Sequence, residues 1–169
     1  MKRKKYFISG RYLAFCLSFM LISALKAQDI TSGLIIHYDF ESVTETTVPD
    51  ISGNGNFGQF EGEAALVDGY NGKGLNMTNK ADFLNLPDNF TASLTSFTYA
   101  TWVNFSALKN ATRFFDLGNG ADGTNDFLAF IPSATGDNTN MRLRYRQANA
   151  TGVNVDGTTK VQAGTWAHV

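Results

Sequence analysis

Residues 97–105 read Phe97-Thr-Tyr-Ala-Thr-Trp-Val-Asn-Phe105, and their alternation sets the fold class of the whole chain. Successive side chains of a strand point to opposite sides, so Phe97, Tyr99, Val103 and Phe105 share one face and Ala100 and Trp102 the other. Apolar groups on both faces predict a central strand, covered on each side. Most rings in such a row belong to a core. Trp102 alone is kept as a candidate ligand contact, because aromatic faces also stack on the apolar faces of sugar rings.

Outward from this strand, the same short alternation recurs between Gly, Asn, Asp and Pro punctuation. From Gly33 onward no apolar stripe at helical spacing lasts beyond a turn or two, so the chain reads as all-β. The alternation predicts strands over residues 34–40, 57–62, 74–77, 83–86, 97–105, 113–117, 126–131, 141–146 and 166–169. Such spacing predicts an antiparallel β-sandwich or barrel.

The first 27 residues read differently. A basic head (Lys2, Arg3, Lys4, Lys5) leads into an apolar stretch through Ile22, then Leu25-Lys26-Ala27 before Gln28. This is the pattern of a signal peptide cleaved after Ala27. Arg11 interrupts the stretch and leaves it short of the ~20 apolar residues of a membrane span, so no transmembrane anchor is expected. Bulky Phe15 before Cys16 does not suit a lipid-anchored cysteine, and Cys16 counts as an apolar residue of the export segment. Six of the 14 basic residues and none of the 15 acidic ones lie in this segment. Residues 28–169 therefore carry 8 basic against 15 acidic side chains, a formal charge of −7. That excess argues against nucleic acid or an anionic membrane as partner. With its single cysteine in the export segment, this exported part is held by its core alone, as one domain spanning residues 28–169.

The loop Asp50-Ile-Ser-Gly-Asn-Gly-Asn-Phe-Gly58 matches two binding patterns at once. Gly53, Gly55 and Gly58 have dinucleotide-fingerprint spacing, but no helix follows to receive a pyrophosphate. From Asp50 the letters also approach a helix-loop-helix calcium loop ending at Glu61, again without the helices. The fingerprint spacing repeats at Gly118, Gly120 and Gly123, which points to turn chemistry, since Asn-Gly pairs take positive φ readily. Free of any helix pair, the loop still offers oxygens to a hard cation: Asp39, Glu41, Asp50, Asn54 and Asn56 are candidate calcium ligands. The competing reading is a turn whose Asp and Asn cap their own backbone. Asp116, Asp122 and Asp126 form a second, sparser oxygen set.

Met141-Arg-Leu-Arg-Tyr-Arg146 alternates throughout, placing Arg142, Arg144 and Arg146 on one face. It is the one basic cluster of the exported part. Guanidinium forks grip carboxylates bidentately, so these three are candidate contacts for an acidic polysaccharide; a solvated or edge-protecting strand face is the competing reading. His37 and His168 are isolated from other ligand types, and His168 suits packing near Trp166. Asn-x-Ser/Thr triplets stand at Asn76, Asn89, Asn104, Asn110 and Asn149, as expected by chance in an Asn- and Thr-rich chain.

Five segments in this order resemble the laminin-G-like branch of the concanavalin A-like jelly rolls. They are Leu34-Ile-Ile-His-Tyr-Asp-Phe-Glu41, Asp50-Ile-Ser-Gly-Asn-Gly-Asn56, Asn71-Gly-Lys-Gly-Leu75, Phe97-Thr-Tyr-Ala-Thr-Trp-Val-Asn104 and Gly164-Thr-Trp-Ala-His-Val169. The resemblance implies two packed antiparallel sheets and binding of polysaccharide, glycoconjugate or protein, often with calcium. It also implies further strands after Trp166-Ala-His-Val169, so the chain reads as a fragment of the sandwich. Catalytic jelly rolls carry a tight acidic run, and no Glu-x-Asp-x-x-Glu occurs here. Asp39 and Glu41, two apart on an expected strand, roughly meet the carboxylate spacing of glycoside hydrolysis, ~5–9.5 Å, without that run. The expectation is a non-catalytic, secreted, periplasmic or surface-held carbohydrate-binding module, dependent on calcium in the resemblance's usual form. The alternatives are the accessory domain of a secreted glycoside hydrolase and an adhesion domain that binds protein.

Overall fold

The computed structural model describes residues 31–110, 112–118, 126–134, 140–147 and 150–169. Among them are eleven strands and no helix: β1 (Thr47–Val48), β2 (Gly58–Glu61), β3 (Ala65–Asp68), β4 (Lys73–Asn76), β5 (Phe83–Asn85), β6 (Trp102–Asn104), β7 (Phe115–Gly118), β8 (Phe127–Ile131), β9 (Arg142–Arg146), β10 (Val153–Asp156) and β11 (Trp166–His168). They pair antiparallel throughout, in the orders β1-β2-β5, β10-β9-β8-β7, β11-β6 and β3-β4. The all-β class follows as expected from the two-residue period.

Register in the four-stranded sheet separates the two faces. Phe115, Phe130, Leu143 and Val155 form one row across it, and Leu117, Leu128, Tyr145 and Val153 the next. The opposite face carries Asp116, Ala129, Arg144 and Asn154 in one row, with Gly118, Phe127 and Arg146 beside it. A one-residue slip of β9 would exchange the guanidinium groups for Leu143 and Tyr145, so register is strongly specified.

Aromatic contacts join this sheet to the segment leading into β6. Tyr99 lies 4.4 Å from Phe115 and 6.0 Å from Phe114, ring centre to ring centre. Phe114 in turn meets Phe105 at 5.5 Å and Phe130 at 5.8 Å, both edge-on. Tilted and edge-to-face pairs of this kind suit the ring quadrupoles. The apolar rows are thus covered at their β7 end. At the β10 edge they are open, with Val153 and Val155 exposed.

Three strands lie outside the sequence reading: β1, β3 and β10. β3 is an apolar run without alternation, and β1 is two residues long. Two expected strands also differ. The run 97–105 keeps ladder geometry only over β6, extended by paired hydrogen bonds between Thr101 and Val169 at 2.9 and 3.0 Å. Among the described residues its strand partner is β11, and Phe97, Tyr99 and Trp102 are exposed. Residues 34–40 form no strand; Leu34, Ile35 and His37 bond instead to the loop at 50–56, through its side chains and the Ile51 N–H, which donates to the His37 carbonyl at 2.9 Å. Phe40, at φ 61°, ends the extended run. Of the second glycine motif, Gly118 closes β7, while Gly120 and Gly123 lie outside the described residues, as do residues 1–27 and Asn149.

Gly58 shows where the core tolerates least. It is buried in β2, and a Cβ there would stand 3.0 Å from Leu84 Cδ1 and 3.2 Å from the Tyr38 ring. Gly58→Val should cost about 1–3 kcal/mol by overpacking and lower Tm by several degrees. Thermal unfolding followed by circular dichroism checks this, and an unchanged Tm would refute the close packing of Tyr38 on β2.

Candidate functional site

The loop after Asp50 is built around one carboxylate. Asp50 is 8% exposed. Its Oδ1 accepts the N–H of His37 at 2.9 Å and of Ser52 at 3.0 Å, and its Oδ2 accepts the N–H of Asn56 at 3.0 Å. Burial alone would push the carboxyl up; the bonds from His37, Ser52 and Asn56 outweigh it and hold it below the usual carboxylate range. Gly53 and Gly55 take φ of 88° and 75°, the left-handed region that lets the loop fold back over its acid.

Side chains of the same loop reach the other way, to the 34–38 segment. Asn54 Nδ2 donates to the Leu34 carbonyl at 2.7 Å, and Asn56 Nδ2 to the Ile35 carbonyl at 2.9 Å. The Ser52 hydroxyl donates to Ile35 at 3.2 Å. Tyr38 closes the circle by donating its phenol proton to the Asn56 carbonyl at 2.6 Å. Burial, then the charge of Asp50, pushes that phenol up to about 12.

The five candidate calcium ligands are therefore engaged with backbone. Asp39 Oδ1 accepts the N–H of Glu41 at 3.1 Å, and Glu41 Oε1 accepts the N–H of Lys73 at 2.6 Å. No group of three or more His, Cys, Asp or Glu gathers around a common point among the described residues. As they stand, these donors do not fit a calcium cage of six to eight oxygens. In the second oxygen set Asp116 pairs with Arg113, Asp126 has a partner of its own, and Asp122 lies outside the described residues.

Trp102 has company that the sequence did not announce. β6 and β11 place Trp102 opposite His168 and Asn104 opposite Trp166, so all four side chains share one face. Tyr70, at the tip of the β3–β4 hairpin, lies parallel to Trp102 with ring centres 3.7 Å apart and planes 10° from parallel. Trp166 meets Tyr70 edge-on at 6.0 Å, and His168 leans on Trp102 at 5.2 Å. Tyr70, Trp102 and Trp166 are 53, 45 and 38% exposed. Three residues from positions 70, 102 and 166 thus form one exposed aromatic surface. The available signal was a large ring within the turn Gly69-Tyr-Asn-Gly72.

The arginine face also divides. Arg142 makes a two-point bridge to Asp156, at 2.5 and 2.9 Å, which holds Asp156 below the usual carboxylate range. Arg144 and Arg146 instead turn toward Phe127 on β8, where Arg113 joins them. Sequence alternation placed the three on one face correctly, but not their different engagements.

Asp50 gives this site its acid response. A carboxyl lowered by folding contributes stability that is present above the unfolded value of about 3.9 and is lost as pH falls through the folded value. Asp50→Asn should cost about 1–3 kcal/mol at neutral pH, since an amide cannot accept all three N–H groups. It should also flatten the fall of Tm between about pH 5 and the acid limit. Thermal unfolding across that range measures both, and a wild-type Tm at pH 7 would contradict the latch.

Residues 78–169 match the family described as the concanavalin A-like lectin/glucanases superfamily, a laminin-G family. The match takes in the Phe97–Asn104 and Gly164–Val169 motifs and begins after the three earlier ones. No curated protein matches the chain. Among solved structures, an S-layer domain-containing protein from Clostridium thermocellum superposes with a TM-score of 0.62 at 18% identity. The alignment covers 78% of this chain and 60% of that one, so the chain spans less than two thirds of its length, and the likeness is one of fold. Strand pattern, sheet pairing and the matched half of the sequence agree: the chain belongs to the laminin-G-like branch of the concanavalin A-like lectin/glucanase superfamily.

Proposed function

We propose that the protein is a non-catalytic, exported binding module that takes carbohydrate on the Tyr70–Trp102–Trp166 surface. The observation that carries this reading is the exposure of three rings, brought together from distant parts of the chain, on the outer face of β6 and β11. Lone exposed apolar residues are ordinary, whereas a contiguous aromatic surface marks an interaction site. Asn104 and His168 on the same face add hydrogen-bonding groups beside the rings, which suits a ligand with apolar ring faces and hydroxyl edges. Superfamily membership supports the class. The export pattern of residues 1–27 supports delivery outside the cytoplasm, and the S-layer neighbour is consistent with a place at the cell surface. The reading is the same for a free-standing module and for the accessory domain of a larger secreted glycoside hydrolase.

Calcium dependence is a separable proposal. An ion would have to draw Asp39 and Glu41 together with the side-chain carbonyls of Asn54 and Asn56, while Asp50 stays with its N–H partners. Adding calcium after chelation should then raise Tm in the wild type and not in Glu41→Gln. No rise in the wild type removes the ion and leaves the aromatic surface as it is.

Both tryptophans of the chain sit in the aromatic surface, so intrinsic fluorescence reports on it directly. Titration with soluble neutral and acidic polysaccharides should shift or quench that emission for at least one of them. Trp102→Ala should remove roughly 1–2 kcal/mol of contact, about a five- to thirty-fold weakening of Kd, with an unchanged circular dichroism spectrum. Binding of every such polysaccharide at wild-type affinity by Trp102→Ala would refute the assignment.

A further inference from the structure

From the arginine face of β7, β8 and β9 we infer an anion site for the carboxylates of an acidic polysaccharide, separate from the aromatic surface. Phe127 is its centre. The guanidinium carbons of Arg113, Arg146 and Arg144 lie 4.8, 5.3 and 5.7 Å from the middle of that ring. Arg113 comes from the β7 side and the other two from β9.

The four arginines are engaged in different ways. Arg113 pairs with Asp116, and Arg142, further along β9, pairs with Asp156. Arg144 and Arg146 instead gather over Phe127, a concentration of positive charge in a stretch, residues 28–169, that holds nearly twice as many acids as bases. The Nε and Nη2 atoms of Arg146 are buried and have no hydrogen-bond partner. Buried polar atoms are nearly always partnered, and a desolvated cation without an answering charge is costly, so such a group calls for an explanation. An anion docked above answers the charge of this guanidinium through its field.

The two arginines divide the task. Arg144 is exposed and presents its fork to solvent, where planar carboxylates pair with it bidentately. Half-buried Arg146 supplies positive potential from beneath, in a medium that screens it less than water does. The Phe127 ring stacks against both, so part of their ordering cost is met before a ligand arrives. A polyuronate fits this better than a neutral glycan. The choice of a polysaccharide as the carrier rests on the carbohydrate reading above; the anion site rests on the arginines alone.

Affinity electrophoresis of the full chain in gels containing alginate, laminarin or dextran sulfate tests it. Alginate should retard the wild type, less so as salt is raised, and Arg144→Gln and Arg146→Met should each weaken that retardation about ten-fold. Arg146→Met replaces a half-buried guanidinium whose Nε and Nη2 lack partners with an apolar chain, so its Tm should hold or rise, which separates lost binding from lost folding. Undiminished alginate binding in either arginine variant overturns the site, as does a fall of Tm in Arg146→Met without loss of binding. Equal, arginine-dependent binding of dextran sulfate overturns the assignment to carboxylates. Trp102→Ala tests the other surface: loss of laminarin retardation with alginate binding kept supports both sites. Loss of alginate binding in the arginine variants, with alginate binding unchanged in Trp102→Ala and laminarin not bound, leaves the anion site standing and removes laminarin as a ligand of the aromatic surface.

Discussion

The hydrogen bonds from three backbone N–H groups to the Asp50 carboxylate are the constraint on which the N-terminal half of the sandwich depends. An extended segment normally satisfies its backbone through a neighbouring strand. Residues 34–38 have none among the described residues, and Asp50, Ser52, Asn54 and Asn56 take the strand's place with side-chain oxygens and amides, joined by the Ile51 N–H on the His37 carbonyl. This substitution fixes Tyr38, whose ring then lies on Gly58 at the start of β2. β2 in turn pairs with β1 on one side and β5 on the other. One buried acid therefore sets the position of a whole three-stranded sheet. Asp82 repeats the device at a smaller scale: its carboxylate takes the N–H groups of Glu63, Thr78 and Asn79, and the bond from Asn79 leads in holding it below the usual carboxylate range.

Acids and bases thus have different duties in this chain. Asp39, Glu41, Asp50 and Asp82 each accept backbone N–H groups and organise connections. The arginines sit on strands, where a two-residue period aligns them and the ladder holds them in place. A negative overall charge is compatible with a local positive surface because the acids are drawn into turns while Arg144 and Arg146 are left together.

The long elements were legible and the short ones were not. Met141 to Arg146 alternates without a break, so its strand, its faces and its arginine row could all be read directly. Trp166-Ala-His and Phe127 to Ile131 were legible for the same reason. Residues 34–40 misled because period-two alternation reports only that the backbone is extended; whether a ladder forms depends on a partner, and here the partner is a loop that bonds through its side chains and the Ile51 N–H. The same limit applied to 97–105, where apolar groups on both faces suggested a central strand. Tyr99 does turn toward aromatic neighbours, Phe114 and Phe115, but Trp102 is exposed beside Tyr70. The loop at Asp50 was legible as a turn, and its glycines do take positive φ. Tyr70 and Phe127 escaped notice because each matters through residues 32 or more positions away, or on neighbouring strands, and no local pattern encodes such a meeting.

The stacking of Tyr70 on Trp102 bears on how an exposed tryptophan becomes a usable surface. A free indole on a strand samples several rotamers, and fixing it on binding costs of order 0.5–1.5 kcal/mol. Tyr70 covers one face of the indole at 3.7 Å, and His168 and Trp166 stand at the margins of the pair, so the orientation is set before any ligand arrives. The hairpin that carries Tyr70 is itself held: Lys73 bridges to Asp68 beside the turn, and the Lys73 N–H reaches Glu41. Glu41 follows directly on the segment that Asp50 holds. The acid-built loops and the aromatic surface are therefore one mechanical chain, running from Asp50 through residues 37–41 and the β3–β4 hairpin to the ring that covers Trp102.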